Sequence, residues 1–95
     1  MFEIIQKENQ VIALSGRFDA SQSDKAKPVF EEINQSTILD FSDLEYISSA
    51  GLSILLVTQK RLKDNDQEIS IQNMNHHIRE IFRYAGFDQI IHIDE

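Results

Sequence analysis

Two adjacent hydroxyls, Ser48 and Ser49, stand directly before Ala50-Gly51-Leu52, where apolar residues begin to recur at helical spacing. A hydroxyl at a helix start faces backbone N–H groups without intrahelical partners and the positive end of the helix dipole. Two uses follow from that position. The serine can accept a hydrogen bond as an N-cap, worth about 1 kcal/mol, or it can carry a phosphate whose negative charge the same amides hold. Residue type and spacing leave both open, and a full capping box is missing because Gly51 and Leu52 stand where Glu or Gln would be needed.

Other chemistry fits less well. Ser49 lies in Ile47-Ser48-Ser49-Ala50-Gly51, which lacks the Gly-x-Ser-x-Gly elbow of a hydrolase nucleophile, so no catalytic residue is expected and the chain is read as a non-enzyme. His76, His77 and His92 belong to no recognised metal-ligand motif with a carboxylate. Adjacent helical side chains diverge by about 100°, so no metal site is expected. Three glycines and no phosphate-binding lysine loop leave no basis for an intrinsic nucleotide site or other cofactor. Asp19 has two readings, a helix cap or a contact for a partner near the serine loop, and Asp40 either ends a strand or braces that loop.

The elements that position these residues alternate in type. Residues 2–6 and 11–14 read as two strands of a hairpin around a turn at 7–10, with Gly16 closing the second strand. Asp19, Ser21 or Ser23 can cap a helix over about 21–34, in which Pro28 costs about 3 kcal/mol and predicts either a kink near Asp24 or a restart at Pro28. A buried strand is predicted at 37–41, after which Ser42-Asp43-Leu44-Glu45 leads out of the sheet into the Ser48–Ser49 loop. From Gly51 onward Leu52, Leu55, Leu56, Gln59 and Leu62 form a helical stripe, with Lys60, Arg61 and Lys63 at its negative end. The leucines of that stripe are assigned to the core, and Ser53, Thr58 and Gln59 to the exposed face available to a partner. Asp64-Asn65-Asp66 breaks the helix; a strand at 69–72, a helix through Ile78, Ile81, Phe82 and Ala85 ending at Gly86, and a short strand at 90–93 complete the chain. The implied fold class is α/β: one domain over 1–95, with a mixed, mostly parallel sheet of four to five strands opened by a hairpin and packed with helices.

Nine Lys and Arg against sixteen Asp and Glu give a net charge of -7, which repels nucleic acid and anionic lipid surfaces. The longest apolar run, Ile54-Leu55-Leu56-Val57, is far short of the roughly 20 residues of a membrane span. No nucleic acid or membrane partner is expected. A chain with no cysteine, no leader pattern and this charge is read as cytoplasmic and monomeric when free.

The run Ile38-Leu39-Asp40-Phe41-Ser42-Asp43-Leu44-Glu45-Tyr46-Ile47-Ser48-Ser49-Ala50-Gly51-Leu52 resembles the signature of the STAS domain of bacterial anti-sigma factor antagonists. Gly16-Arg17-Phe18-Asp19 is similar to the end of that family's second strand, and Tyr84-Ala85-Gly86-Phe87-Asp88 fits its last helix end. The resemblance implies a STAS-like fold and a phosphorylated serine two places before the glycine, which is Ser49, with Ser48 the second candidate. It implies a switch loop of Asp19, Ser48, Ser49, Ala50, Gly51 and Ser53. Many members carry Asp where this chain has Ser48. The implied partners are an anti-sigma factor that is also a serine kinase related to the histidine-kinase ATPases, and a metal-dependent serine phosphatase of the PP2C type. The unmodified protein would bind the kinase and free a sigma factor, phosphate on Ser49 would end that binding, and the phosphatase would reset it. A constitutive scaffold or assembly module of the same fold, not regulated by phosphorylation, is the alternative.

Overall fold

In the computed structural model, which describes residues 1–94, the chain folds as β1 (Glu3–Lys7), β2 (Val11–Phe18), a short 3-10 turn (Ala20–Gln22), α1 (Ser23–Glu31), β3 (Thr37–Ile47), α2 (Ser49–Lys63), β4 (Ile69–Gln72), α3 (His76–Ala85), a second 3-10 turn (Phe87–Gln89) and β5 (His92–Ile93). The sheet order is β1-β2-β3-β4-β5. The β1–β2 pair is antiparallel and every other pair is parallel, so the expected mixed, mostly parallel sheet opened by a hairpin is what forms. The tight β1–β2 turn is made by Asn9 and Gln10 at φ of 61° and 60°.

Strand alternation decides which face is covered. Ile12, Leu14 and Phe18 of β2, Leu39 and Phe41 of β3, and Ile69 and Ile71 of β4 are buried and point to one side. That side receives Ala26 and Phe30 of α1, Leu52, Leu55 and Leu62 of α2, and Ile78 and Phe82 of α3 in a single core. Rings pin helices to strands: Phe30 stacks on Phe18 at 6.4 Å between centroids, and Phe82 meets Phe41 edge-on at 6.2 Å. The other face, with Ala13, Ser15, Arg17, Asp40, Ser70 and Gln72, has no fully buried residue among those described. Parallel strands are usually covered on both sides, and the small and polar residues on this bare face are the sequence's accommodation to water.

Four elements differ from the sequence expectation. β3 does not end at Phe41 but runs to Ile47, because two register shifts against β2 each insert one extra β3 residue, between the pairs Ala13↔Asp40 and Ser15↔Asp43 and between Gly16↔Leu44 and Arg17↔Tyr46. Each bulge turns the strand, so the buried positions go from Thr37, Leu39 and Phe41 to Leu44 and Ile47, and the two-residue period that marks a strand becomes three. β2 likewise does not close at Gly16 but continues to Phe18. Gly16 has φ of 83°, and a Cβ there would collide with the Met1 carbonyl, so the position accepts only glycine within the strand. The first helix is shorter than 21–34: Asp19 starts a 3-10 turn, and α1 begins at Ser23 and continues through Pro28 without restarting. It stops at Glu31, where Arg61 of α2 takes over two carbonyls, donating from Nη2 to Phe30 O at 2.8 Å and from Nη1 to Ile33 O at 2.7 Å. The closing strand is only His92–Ile93, because Phe87–Gln89 forms a turn before it.

Candidate phosphorylation switch site

The site lies where β2 and β3 end side by side. Phe18 pairs with Ile47, and one residue further the Ser48 N–H donates to Phe18 O at 2.9 Å, so Asp19 and Ser48 leave the sheet together at the carboxyl ends of parallel strands. The chain turns into α2 within one residue. Ser48 has extended backbone, φ -94° and ψ 174°, and is the N-cap: its Oγ accepts from the Gly51 N–H at a long 3.4 Å, and its carbonyl accepts the first helical bond from Leu52 at 2.9 Å.

The two serines thereby separate. Ser48 is half-buried and its hydroxyl is used by the helix; Ser49 is the first residue of α2, exposed, with no hydrogen-bond partner for its hydroxyl among the described residues. Gly51 explains the tight turn: it is buried under the first helical turn, and a Cβ there would sit 2.9 Å from Ile47 Cγ1 and 3.1 Å from Phe18 O. Small size, not unusual backbone, is what position 51 requires. Helix α2 can therefore start directly against the strand ends and lift Ser49 into solvent.

Next to Ser49 the first two turns of α2 and the facing side of α1 leave an open apolar groove of about 360 Å³, formed by Ala50, Ser53, Ile54 and Val57 of α2 with Lys27 and Phe30 of α1. Ser49, Ser53 and Val57 follow one another at four-residue spacing and so share a helix face; Val57 is 64% exposed. The arrangement is an apolar groove with an exposed hydroxyl one helical turn before its Ser53 edge. Among the described residues it has no catalytic constellation, and no group of His, Asp or Glu is placed to hold a metal ion. His92 is instead paired with Asp94, Nε2 to Oδ1 at 2.8 Å. No helix among the described residues is long and apolar enough to cross a membrane.

The remaining sequence candidates fall on both sides. Ser53 is exposed in the groove, as expected, but Thr58 lines the groove while only 3% exposed, and Gln59, at 1%, is buried away from it. Thr58 Oγ1 donates to Ile54 O within α2. The Gln59 amide bridges elements, accepting from the Ile69 N–H at 2.8 Å and donating to Ile90 O at 2.9 Å. Leu52, Leu55 and Leu62 are core as expected, while Leu56 is only half-buried. Groove residues Lys27, Phe30, Ile54 and Val57 escaped the sequence reading. The available signal was Val57, an apolar residue off the buried stripe that extends the run from Ile54 around the helix.

Asp19 caps the 3-10 turn, its Oδ1 accepting from the Ser21 hydroxyl at 2.6 Å and the Ser21 N–H at 3.1 Å. The Ser21 hydroxyl is the main cause that holds its carboxyl below the ordinary 3.8, helped by the Ser21 amide and the Arg17 charge against partial desolvation. Asp40 neither ends β3 nor touches the serine loop. Its Oδ1 accepts from the Ser42 N–H at 3.0 Å and Asn73 Nδ2 at 3.1 Å, bracing the first bulge and the loop after β4. Burial opposes its ionisation, but those hydrogen bonds outweigh it and the carboxyl titrates below 3.8.

The family model described as Mlab, STAS domain, matches residues 2–92. The chain belongs to the STAS domain family. Over 68 residues this STAS domain is 35% identical to BtrV of Bordetella bronchiseptica, a candidate anti-sigma factor antagonist by its name; the match covers 72% of the domain and 53% of BtrV, so the chain spans about half the length of that relative. An anti-sigma factor antagonist from Mycobacterium paratuberculosis shares the fold with a TM-score of 0.81 at 17% identity, over 98% of the domain and 83% of that chain. The phosphorylated form of the Bacillus cell fate determinant SpoIIAA does so with a TM-score of 0.69 at 14% identity, over 100% and 92%. At those identities the two structures establish the STAS fold and nothing finer.

Proposed function

We propose that this STAS domain is a non-enzymatic, cytoplasmic anti-sigma factor antagonist whose partner binding is switched by phosphorylation of Ser49. One observation carries the reading: of the two hydroxyls, Ser48 is spent on capping α2, whereas Ser49 is exposed, unpartnered among the described residues and one helical turn before Ser53, which lines the α1–α2 groove. The likeness to BtrV supports the choice of partner class. In the unmodified state an anti-sigma factor with serine-kinase activity, of the histidine-kinase-like ATPase kind, binds over Ser49, Ser53 and Val57, and its sigma factor is released. The kinase then transfers the terminal phosphoryl group of its nucleotide to Ser49 Oγ while the hydroxyl proton passes to a base of the kinase.

A phosphoserine adds about -1.5 to -2 charges, and burying it in an apolar interface costs desolvation that neutral Ser49 does not. The α2 amides and dipole tolerate the phosphate within the free protein, so the modified form is stable and partner-free until a PP2C-type phosphatase hydrolyses the ester. The test is capture from the native host's lysate by wild type, Ser49→Asp and Ser48→Ala baits, with phosphate mapping on the wild type. A kinase-like ATPase retained by wild type and Ser48→Ala and lost by Ser49→Asp is expected. Equal capture by all three with Ser49 unmodified would assign the domain to constitutive assembly instead.

A further inference from the structure

Among the described residues the outer edge of β1 has no neighbouring strand, so alternate residues leave their N–H and C=O unpaired along it, a template for another strand. Its sequence is Glu3-Ile4-Ile5-Gln6-Lys7. When a second β1 is laid antiparallel against the first about Ile5, Ile5 meets Ile5, Glu3 meets Lys7 and Lys7 meets Glu3. All three side chains share a face: Ile4 pairs with buried Leu14 on the helix side, which puts Glu3, Ile5 and Lys7 on the bare side beside Ser15, Ala13 and Val11. Among the described residues neither Glu3 nor Lys7 forms a salt bridge within the chain, although the Lys7 charge is near enough to favour ionised Asp40. Ile5 is 48% exposed.

Charges on an edge strand ordinarily discourage pairing. At these two positions they are of opposite sign and symmetric about a hydrophobic centre, so they discourage only the wrong alignments. A parallel pair in register would set Glu3 against Glu3 and Lys7 against Lys7, and an antiparallel slip by two residues would take both charges away from their opposite-sign partners. We propose that two copies of this chain associate through β1 in an antiparallel, two-fold arrangement centred on Ile5, which makes the sheet continuous across both copies. The contact is isologous, each copy giving the same patch. It is also weak, because a five-residue strand pair buries far less than the roughly 1,600 Å² of a standard interface and two chains of net charge -7 repel. Self-association is therefore expected only towards millimolar concentration, and it does not depend on the reading of Ser49.

The charges supply the test. Sedimentation velocity over a concentration series at fixed ionic strength compares wild type, Glu3→Lys, Lys7→Glu, their equimolar mixture and the Glu3→Lys/Lys7→Glu double variant, with circular dichroism to establish that each is folded. Each single variant places like charges opposite and should weaken self-association by roughly tenfold or more. In the mixture, a Glu3→Lys chain carries lysine at both positions and a Lys7→Glu chain carries glutamate at both, so a heterodimer of the two sets opposite charges against each other twice. The mixture should therefore recover wild-type association, as should the double variant, in which the two charges simply exchange places. A wild type that stays monomeric throughout, or single variants that associate as wild type does, would overturn the proposal.

Discussion

Ser48 and Ser49 are neighbours with the same side chain, and their different surroundings predict different responses to the same change. Ser48→Ala removes the hydroxyl that accepts from the Gly51 N–H and should cost about 0.5–1 kcal/mol, the low end for a cap because the bond is long. Ser49→Ala removes a hydroxyl without a partner among the described residues and should shift stability by less than about 0.5 kcal/mol. Urea denaturation of both variants measures the difference, and equal losses would contradict the division of roles. Asp40 gives a prediction in pH. Its folded carboxyl titrates below the ordinary 3.8 because the Asn73 and Ser42 hydrogen bonds outweigh burial. A group depressed in the folded state contributes stability that is complete above its unfolded value and lost as pH falls through its folded value. Wild type should therefore exceed Asp40→Asn in urea midpoint at neutral pH, and the gap should close as the pH is taken below about 4; a gap constant with pH would refute the assignment.

Among the elements, those with unbroken periods were readable and those held by long-range contacts were not. β4 and α3 follow directly from Ile69 and Ile71 and from Ile78, Ile81 and Phe82, ended by Gly86 at φ of 79°. Only the first half of β3 carries the two-residue period of a strand; its second half buries every third residue, a pattern set by bulges against β2 that no local window contains. Gln59 failed for a related reason: a polar residue on the stripe reads as surface until its two partners, Ile69 and Ile90, are brought to it by the sheet. Its replacement tests that role. Gln59→Leu keeps the volume but strands the Ile69 N–H, whose residue is fully buried, and should cost about 1–3 kcal/mol. Guanidinium or urea unfolding would show it, and a neutral substitution would mean that the amide is dispensable to the α2–β4 contact.

At the scale of the molecule, the serine's place was legible because an Ile47-to-Leu52 motif is local, whereas the groove beside it was not, since α1 and α2 meet there from separate segments with the whole of β3 between them. That geometry separates the proposed switch from the fold. Ser49 Oγ takes no part in the core or the helix cap, so a charge on it acts on what docks there and not on the domain that carries it. A negative group at the first position of α2 lies at the positive end of the helix dipole, which favours it by about 0.3–1 kcal/mol. Ser49→Asp should accordingly leave the thermal midpoint unchanged or slightly raised while it abolishes capture of the kinase-like partner. Val57→Asp, two turns further along the same exposed face, should weaken capture without any phosphate-like group near the cap. Differential scanning calorimetry and titration calorimetry with the captured partner, on the same preparations, resolve the two effects. If Ser49→Asp instead lowered the midpoint in step with its loss of binding, release of the partner would be a consequence of local unfolding at the start of α2, and the electrostatic account of the switch would fail.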